Sequence, residues 1–210
     1  TANIRLWTHD NFGEDLLLCP RDGGFFYWDR SDGLTARAVL LSSEATASNV
    51  PTIAKQILVS DIDRHIIAFG TNPLGGSDQD PLLIRFASQE SFNFTPDTTN
   101  TAGDLRLSSG SEFIQAVETK QQILVFTDKS LFAMRFIGPP FTFGLQELSK
   151  NITIISPKSA VAVDDVVFWM GKENFYVYTG RTQQIACTVR DKVFLDFNFS
   201  QKDRVVAGVN

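Results

Sequence analysis

Four times along this chain a short aliphatic run is followed by a turn and then by a run rich in aromatic side chains. Residues 15–18 pair in this way with 24–28, 65–70 with 82–86, 122–127 with 130–136, and 165–170 with 174–178. Runs of this length, bounded by Gly, Pro, Asp and Asn, read as antiparallel strand pairs. Asp128-Lys129 is the tight turn of the third pair, and Pro20-Arg21-Asp22-Gly23 supplies the turn of the first. The first members begin at residues 15, 65, 122 and 165, and recurrence at roughly 40–50 residues is the spacing of propeller blades.

Shorter strand candidates flank the pairs. Residues 114–118 and 160–163 precede the third and fourth, and 36–41, 141–148 and 184–189 follow three of the four. Three to four antiparallel strands per repeat make one blade. The expectation is an all-β, β-propeller-like fold of about four blades. They lie near 5–45, 50–100, 105–150 and 155–200, with 1–210 part of one propeller domain. Residues 50–60 read equally as an amphipathic turn or a strand, and 191–197 as a single helical turn. The connection 71–81, rich in Gly, Asn, Pro and Asp, is expected as a surface excursion. The pattern is already under way at residues 5–12, and 203–210 resembles the start of another strand. With Thr1 and not Met at the start, this leads to the expectation of an excerpt from a longer chain, whose isolated sheets would be unstable without closure.

Composition narrows function. The chain has 210 residues, 43% of them apolar, which is too hydrophobic for disorder and enough for a sizeable core. Its formal charge is −5 and its basic residues are scattered singly, so tight wrapping of nucleic acid is not expected. No stretch reaches the ~18–20 apolar residues of a membrane-spanning helix, and no basic start with an apolar h-region marks a signal peptide. Cys19 and Cys187 are too far apart for a metal signature and read as buried free thiols.

Candidate chemistry is sparse. His9 stands beside Asp10, but no Gly-x-Ser-x-Gly elbow accompanies them, and His65 opens an apolar strand. Asp61 with Asp63, and Asp78 with Asp80, are paired carboxylates that do not continue into a calcium loop, so they read as turn residues. Glu14-Asp15 and Asp164-Asp165 read as solvated charges flanking hydrophobic strands. Gly75-Gly76-Ser77 lacks the ending of a phosphate loop, and Asn93, Asn151 and Asn198 are chance matches to the glycosylation tripeptide. Tyr27, Trp28, Trp169, Tyr176 and Tyr178 have two readings, a sugar-stacking groove or packing between blades, and the second is favoured. Residues 138–144, Gly-Pro-Pro-Phe-Thr-Phe-Gly, form either a docking loop or a plain connection. No catalytic, cofactor-binding or metal-binding residue is assigned, and the chain is expected not to be an enzyme.

Several segments resemble tail proteins of tailed bacteriophages. They are Trp7-Thr8-His9-Asp10-Asn11-Phe12-Gly13-Glu14-Asp15-Leu16-Leu17, residues 79–86, residues 100–107, and Val166-Val167-Phe168-Trp169-Met170-Gly171-Lys172 followed by Phe175-Tyr176-Val177-Tyr178. The resemblance implies a virion structural component of the tail-tube, nozzle or head-closure type. Such a protein would sit in a ring of its own copies around the DNA-exit channel, in contact with adaptor or portal rings and fibres, while DNA passes without specific binding. Family members should be longer than this chain. Two other readings stand beside it: a carbohydrate-binding or glycan-degrading propeller, and a generic protein-binding propeller. A glycosidase needs two carboxylates about 5–10 Å apart, for which Glu112, Glu118, Asp61 and Asp165 are the available acids.

Overall fold

The structure, a computed structural model, describes residues 4–209; residues 1–3 and Asn210 lie outside them. The fold is all-β. Among the described residues, four four-stranded antiparallel sheets follow one another, each in simple up-and-down order. The first contains β1 (Trp7–Phe12), β2 (Asp15–Pro20), β3 (Phe26–Trp28) and β4 (Val39–Leu40). The second contains β5 (Gln56–Val59), β6 (Ile66–Phe69), β7 (Leu83–Phe86) and β8 (Gly103–Arg106). The third contains β9 (Phe113–Glu118), β10 (Ile123–Thr127), β11 (Ser130–Gly138) and β12 (Thr142–Lys150). The fourth contains β13 (Ala160–Val163), β14 (Val166–Met170), β15 (Phe175–Tyr178) and β16 (Thr182–Ile185). Each sheet is one blade-like meander.

The details differ from expectation in a few places. Residues 50–60 contain a strand, β5, and the second sheet has a fourth strand, β8, whose Gly-Asp-Leu-Arg sequence carries no strand signal. The strand expected at 36–41 shrinks to Val39–Leu40. Residues 190–195 form a short helix, α1 (Arg190–Leu195). The strand expected from Asp203 does not form: residues 199–204 are 3-10 turns, and only Val206 makes a bridge, parallel to Lys158. Lys202, Asp203 and Arg204 are three consecutive charged or basic side chains, a poor match to a half-buried strand.

The chain forms two compact units. One comprises residues 5–108 with 136–144; the other comprises 109–135 with 145–209. In the first unit, strand alternation gives the first sheet two faces. Thr8, Asp10, Phe12, Leu17, Cys19 and Tyr27 share the face that meets Ile57, Val59, Ile66 and Ala68 of the second sheet. In the second unit, Leu124, Phe126, Leu131 and Ala133 of the third sheet meet Ala160, Val167, Trp169 and Tyr178 of the fourth.

A polar device recurs at both sheet-on-sheet contacts. The outward edge of β5 is met by side chains of β1: Ile57 N donates to Thr8 Oγ1 at 3.1 Å and Val59 N to Asp10 Oδ2 at 2.8 Å. The outward edge of β13 is met by Gln115 of β9. Its Nε2 donates to Ala160 O at 2.9 Å, and Ala160 N donates to its Oε1 at 3.0 Å. Unpaired backbone groups on a buried edge are costly, and these side chains satisfy them. Replacing Gln115 with leucine is therefore expected to destabilise the protein by about 1–3 kcal/mol, because both Ala160 groups lose their partner. Urea unfolding of the variant measures this, and an unchanged midpoint would show the bridge to be dispensable.

Candidate functional site

The first unit carries a cleft of about 960 Å³ between the loop 96–105 and the hairpin tip 137–144. Each wall has a local cause. On the loop, Asp97 turns the chain by accepting from Thr99 N at 2.9 Å and Thr99 Oγ1 at 2.8 Å, and these bonds hold its carboxyl below the usual range. Asn100 continues the turn, accepting from Ala102 N at 3.0 Å and donating to Thr95 O at 2.9 Å. The tip contains a cis peptide bond between Pro139 and Pro140, and Thr142 stands at φ 61° while its hydroxyl donates to Thr101 O at 3.0 Å.

The floor is aromatic. Phe143 is buried edge-on against both Phe86 and His65, with ring centroids 5.0 and 5.1 Å away. Gly103 faces Phe86 across the β7–β8 pair, and a Cβ there would stand 2.8 Å from the Phe86 ring. The glycine is what lets the ring lie across β8. The rim is the opposite of the floor: Phe141 is 71% exposed and Ile137 is 57% exposed. The cleft thus offers the exposed Phe141 ring, the aliphatic side chains of Ile137 and Leu105, and two acids, Asp97 and Asp104.

The residues singled out from the sequence are dispersed. His9 and Asp10 are neighbours on β1 and point to opposite faces of the sheet, so no dyad forms. His9 is exposed, whereas burial pushes the Asp10 carboxyl up and its oxygens take Val59 N and Asn11 N. His65 is fully buried; its Nε2 lies 2.9 Å from Thr101 Oγ1, its Nδ1 has no hydrogen-bond partner, and burial lowers its pKa to about 4. Asp61 and Asp63 sit in the β5–β6 turn, Asp63 buried with its carboxyl pushed up by desolvation.

Asp80 accepts from Arg106 Nε at 2.8 Å and from Leu82 N at 3.0 Å, while Asp78 is exposed. Glu14 pairs with Arg30, and Asp15 accepts from Tyr27 Oη at 2.7 Å. Asp164 pairs with Lys120, and Asp165 accepts from Gln121 Nε2 at 3.2 Å. Glu118 ends β9, and Glu112 lies in the bend just before that strand. Among the described residues no group of three His, Cys, Asp or Glu side chains is placed to hold a metal ion.

Of the aromatics, Tyr27, Trp169 and Tyr178 are buried in sheet contacts, and Trp169 stacks on Tyr176 at 5.3 Å. Trp28 is half-buried on the other face of the first sheet. Residues 138–144 are the tip of the β11–β12 hairpin, with Phe143 serving as packing and Phe141 free at the rim. In the glycine-rich connection, Asn72 is buried and holds the loop. Its side chain accepts from Thr52 N at 3.0 Å and donates to Gly76 O at 2.7 Å. Asn93 and Asn198 are occupied as turn acceptors, from Thr95 N and Ser200 N, and Asn151 is exposed.

Both thiols are free. Cys19 is buried with its thiol pushed up to about 12 by desolvation, whereas Cys187 is only half-buried. A thiol reagent under native conditions is expected to modify Cys187 and leave Cys19 until the chain unfolds. Peptide mapping reads the outcome directly, and equal labelling of the two would contradict the burial of Cys19.

No helix of the described residues is long and apolar enough to cross a membrane. No known protein-family model matches the chain, and no curated protein matches it.

Proposed function

We propose that this chain is a structural component of a tailed-phage virion. It would form part of a tail ring or nozzle around the DNA-exit channel, beside copies of itself and other tail proteins. The observation that carries the reading is the fourfold repeat of up-and-down sheets, whose contacts are filled by side chains. Polar residues that could have served chemistry, such as Asp10 and Gln115, serve sheet edges instead. The likeness of residues 7–17 and 166–178 to phage tail proteins supplies the setting. A net charge of −5 suits a conduit in which DNA slides without sticking. Mass spectrometry and antibody labelling of purified virions test it: the protein is expected in tails, and its absence from intact particles would end the proposal.

The exposed Phe141 ring beside Asp97 and Asp104 favours one second reading, carbohydrate binding at the cleft. Asp97 is engaged by its own turn and held ionised, which suits contact to a sugar hydroxyl better than proton donation. A glycan array with wild type and Phe141→Ala decides it. Binding lost in the variant supports a sugar site, and no binding by either removes it.

A further inference from the structure

The hairpin tip 136–144 is seated on a histidine whose surroundings suit only its neutral form. His65 is fully buried, with the Phe136 and Phe143 rings 5.8 and 5.1 Å away between centroids. Its Nε2 lies 2.9 Å from Thr101 Oγ1, and its Nδ1 has no hydrogen-bond partner. A neutral imidazole carries one N–H, whereas the charged ring carries two and needs an acceptor for each. A proton taken up in place would leave a buried charge with one N–H unmatched.

The charged groups on the surrounding elements are engaged elsewhere. Arg64 pairs with Glu90 at 3.2 Å and lies over the Phe12 ring, and Asp61 acts on Asp10. Asp97 is held by its own turn, and Asp104 stands opposite Arg85. Arg135, just before the tip, donates to Gln122 Oε1 at 2.8 Å. Asp63 is buried two residues away with its carboxyl pushed up, and its backbone draws the ring towards the charged form without bonding Nδ1. Residues 136–144 carry no titratable side chain.

The tip is built to move. Thr101 joins it to the histidine: its Oγ1 stands beside Nε2 and accepts from Gln89 N at 2.9 Å, and its carbonyl accepts from Thr142 Oγ1 at 3.0 Å. Thr142 sits at φ 61°, a left-handed conformation that a β-branched residue adopts at a cost. Gly138 stands at φ 75° with open space around it, and Gly144 ends the segment. Phe141 and Ile137 already face water, so lifting the tip newly exposes chiefly Phe143 and the inner side of Phe136.

We infer that residues 136–144 form an acid-released latch, closed over His65 near neutral pH and lifted by protonation of the imidazole while the rest of the first unit stays folded. Lifting gives the charged ring to water and removes one wall of the cleft. The latch depends on neither the virion reading nor the sugar reading. With the ordinary value of 6.5 for the lifted imidazole and about 4 for the closed one, the opening equilibrium rises about twentyfold between pH 7 and pH 5.

Amide hydrogen exchange of the full chain, followed by NMR at pH 7, 6 and 5, tests it, each time without urea and in urea well below the unfolding transition. Phe143 N donates to Phe141 O at 2.7 Å, and Gln89 N to Thr101 Oγ1. After correction for intrinsic exchange rates, both are expected to lose protection about twentyfold from pH 7 to pH 5, through an opening that urea leaves unchanged. Amides of β2 and β6 are expected to stay far more protected throughout. His65→Gln is expected to abolish the pH-dependent change. A Phe143 amide as protected as those of β6, or one that loses protection identically in the variant, would overturn the inference. Should the variant not fold, the NMR titration of His65 in wild type decides. Proton uptake that tracks the loss of Phe143 protection supports the latch, and uptake with that amide still protected overturns it.

Discussion

Replacing Arg85 with methionine is expected to destabilise the protein by about 3–5 kcal/mol, the range for stripping a partner from a buried polar network. Arg85 lies on β7 with its side chain 3% exposed, on the face shared with Ile57 and Ala68. Its Nη2 donates to Asn49 O at 2.8 Å and to Phe94 O at 3.2 Å, its Nη1 reaches Asn72 O at 3.4 Å, and its guanidinium lies 5.9 Å from the Phe94 ring centroid. Three separate loops thus hang on one planar fork. Methionine fills the volume and supplies no donor, so the three carbonyls lose their partner. Lysine restores a charge without the fork and is expected to recover only part of the loss. Burial disfavours the charged guanidinium while Asp104, opposite it on β8, favours it. The measurement is urea unfolding with a thermal scan, in which a drop of about 10 °C in Tm corresponds to the loss expected for a chain of this size. A methionine variant with the wild-type midpoint would show that the three loops hold without the arginine.

Arg85 also shows what the sequence hid. The repeat of aliphatic and aromatic runs was legible because β-strands in a packed sheet demand apolar residues on at least one face, and the four sheets formed where those runs stand. Turn residues were legible for the same local reason: Asp61 and Asp63 sit between strands, where a short polar side chain is wanted. What was not legible is long-range polar pairing. Arg85 stands within Leu-Ile-Arg-Phe and reads as an exposed charge on a strand, yet its partners come from residues 49, 72 and 94. Gln115 and Asn72 are equally silent, because an amide in a strand or loop carries no sign of whether it faces water or a neighbouring backbone edge. β8 escaped because its pairing to β7 supplies what its own composition lacks.

The candidate cleft was half legible. The Gly-Pro-Pro-Phe-Thr-Phe-Gly segment stood out as apolar and turn-rich, and it does form one wall. Which of its two phenylalanines is buried follows from the hairpin's placement against Phe86 and His65, which sequence periodicity does not encode. Asp10 stands beside His9 in the sequence, and alternation along β1 sends it to the sheet contact.

Acidification from pH 6.5 towards 4 is expected to weaken the fold through His65, by on the order of 3 kcal/mol in total. The imidazole is fully buried among Phe136 and Phe143, at 5.8 and 5.1 Å between ring centroids, and Thr101 Oγ1 is the hydrogen-bonding neighbour of its Nε2. Desolvation lowers its folded pKa from 6.5 to about 4, against the opposing effect of the Asp63 backbone. Between those two values the unfolded chain binds a proton that the folded chain refuses, so unfolding becomes easier as pH falls, and the loss is complete below about 4. Asp10 and Asp63, whose carboxyls burial pushes up, act in the opposite sense in the acid range, and the comparison must therefore be made against a variant. His65→Gln keeps a polar side chain without a proton to take up. It is expected to be less stable than wild type near neutrality, yet to show a flatter dependence of unfolding free energy on pH between 6.5 and 4. Denaturant titrations at half-unit pH steps give the two slopes. Parallel curves for wild type and variant would mean that His65 takes up its proton as readily in the folded state as in the unfolded one.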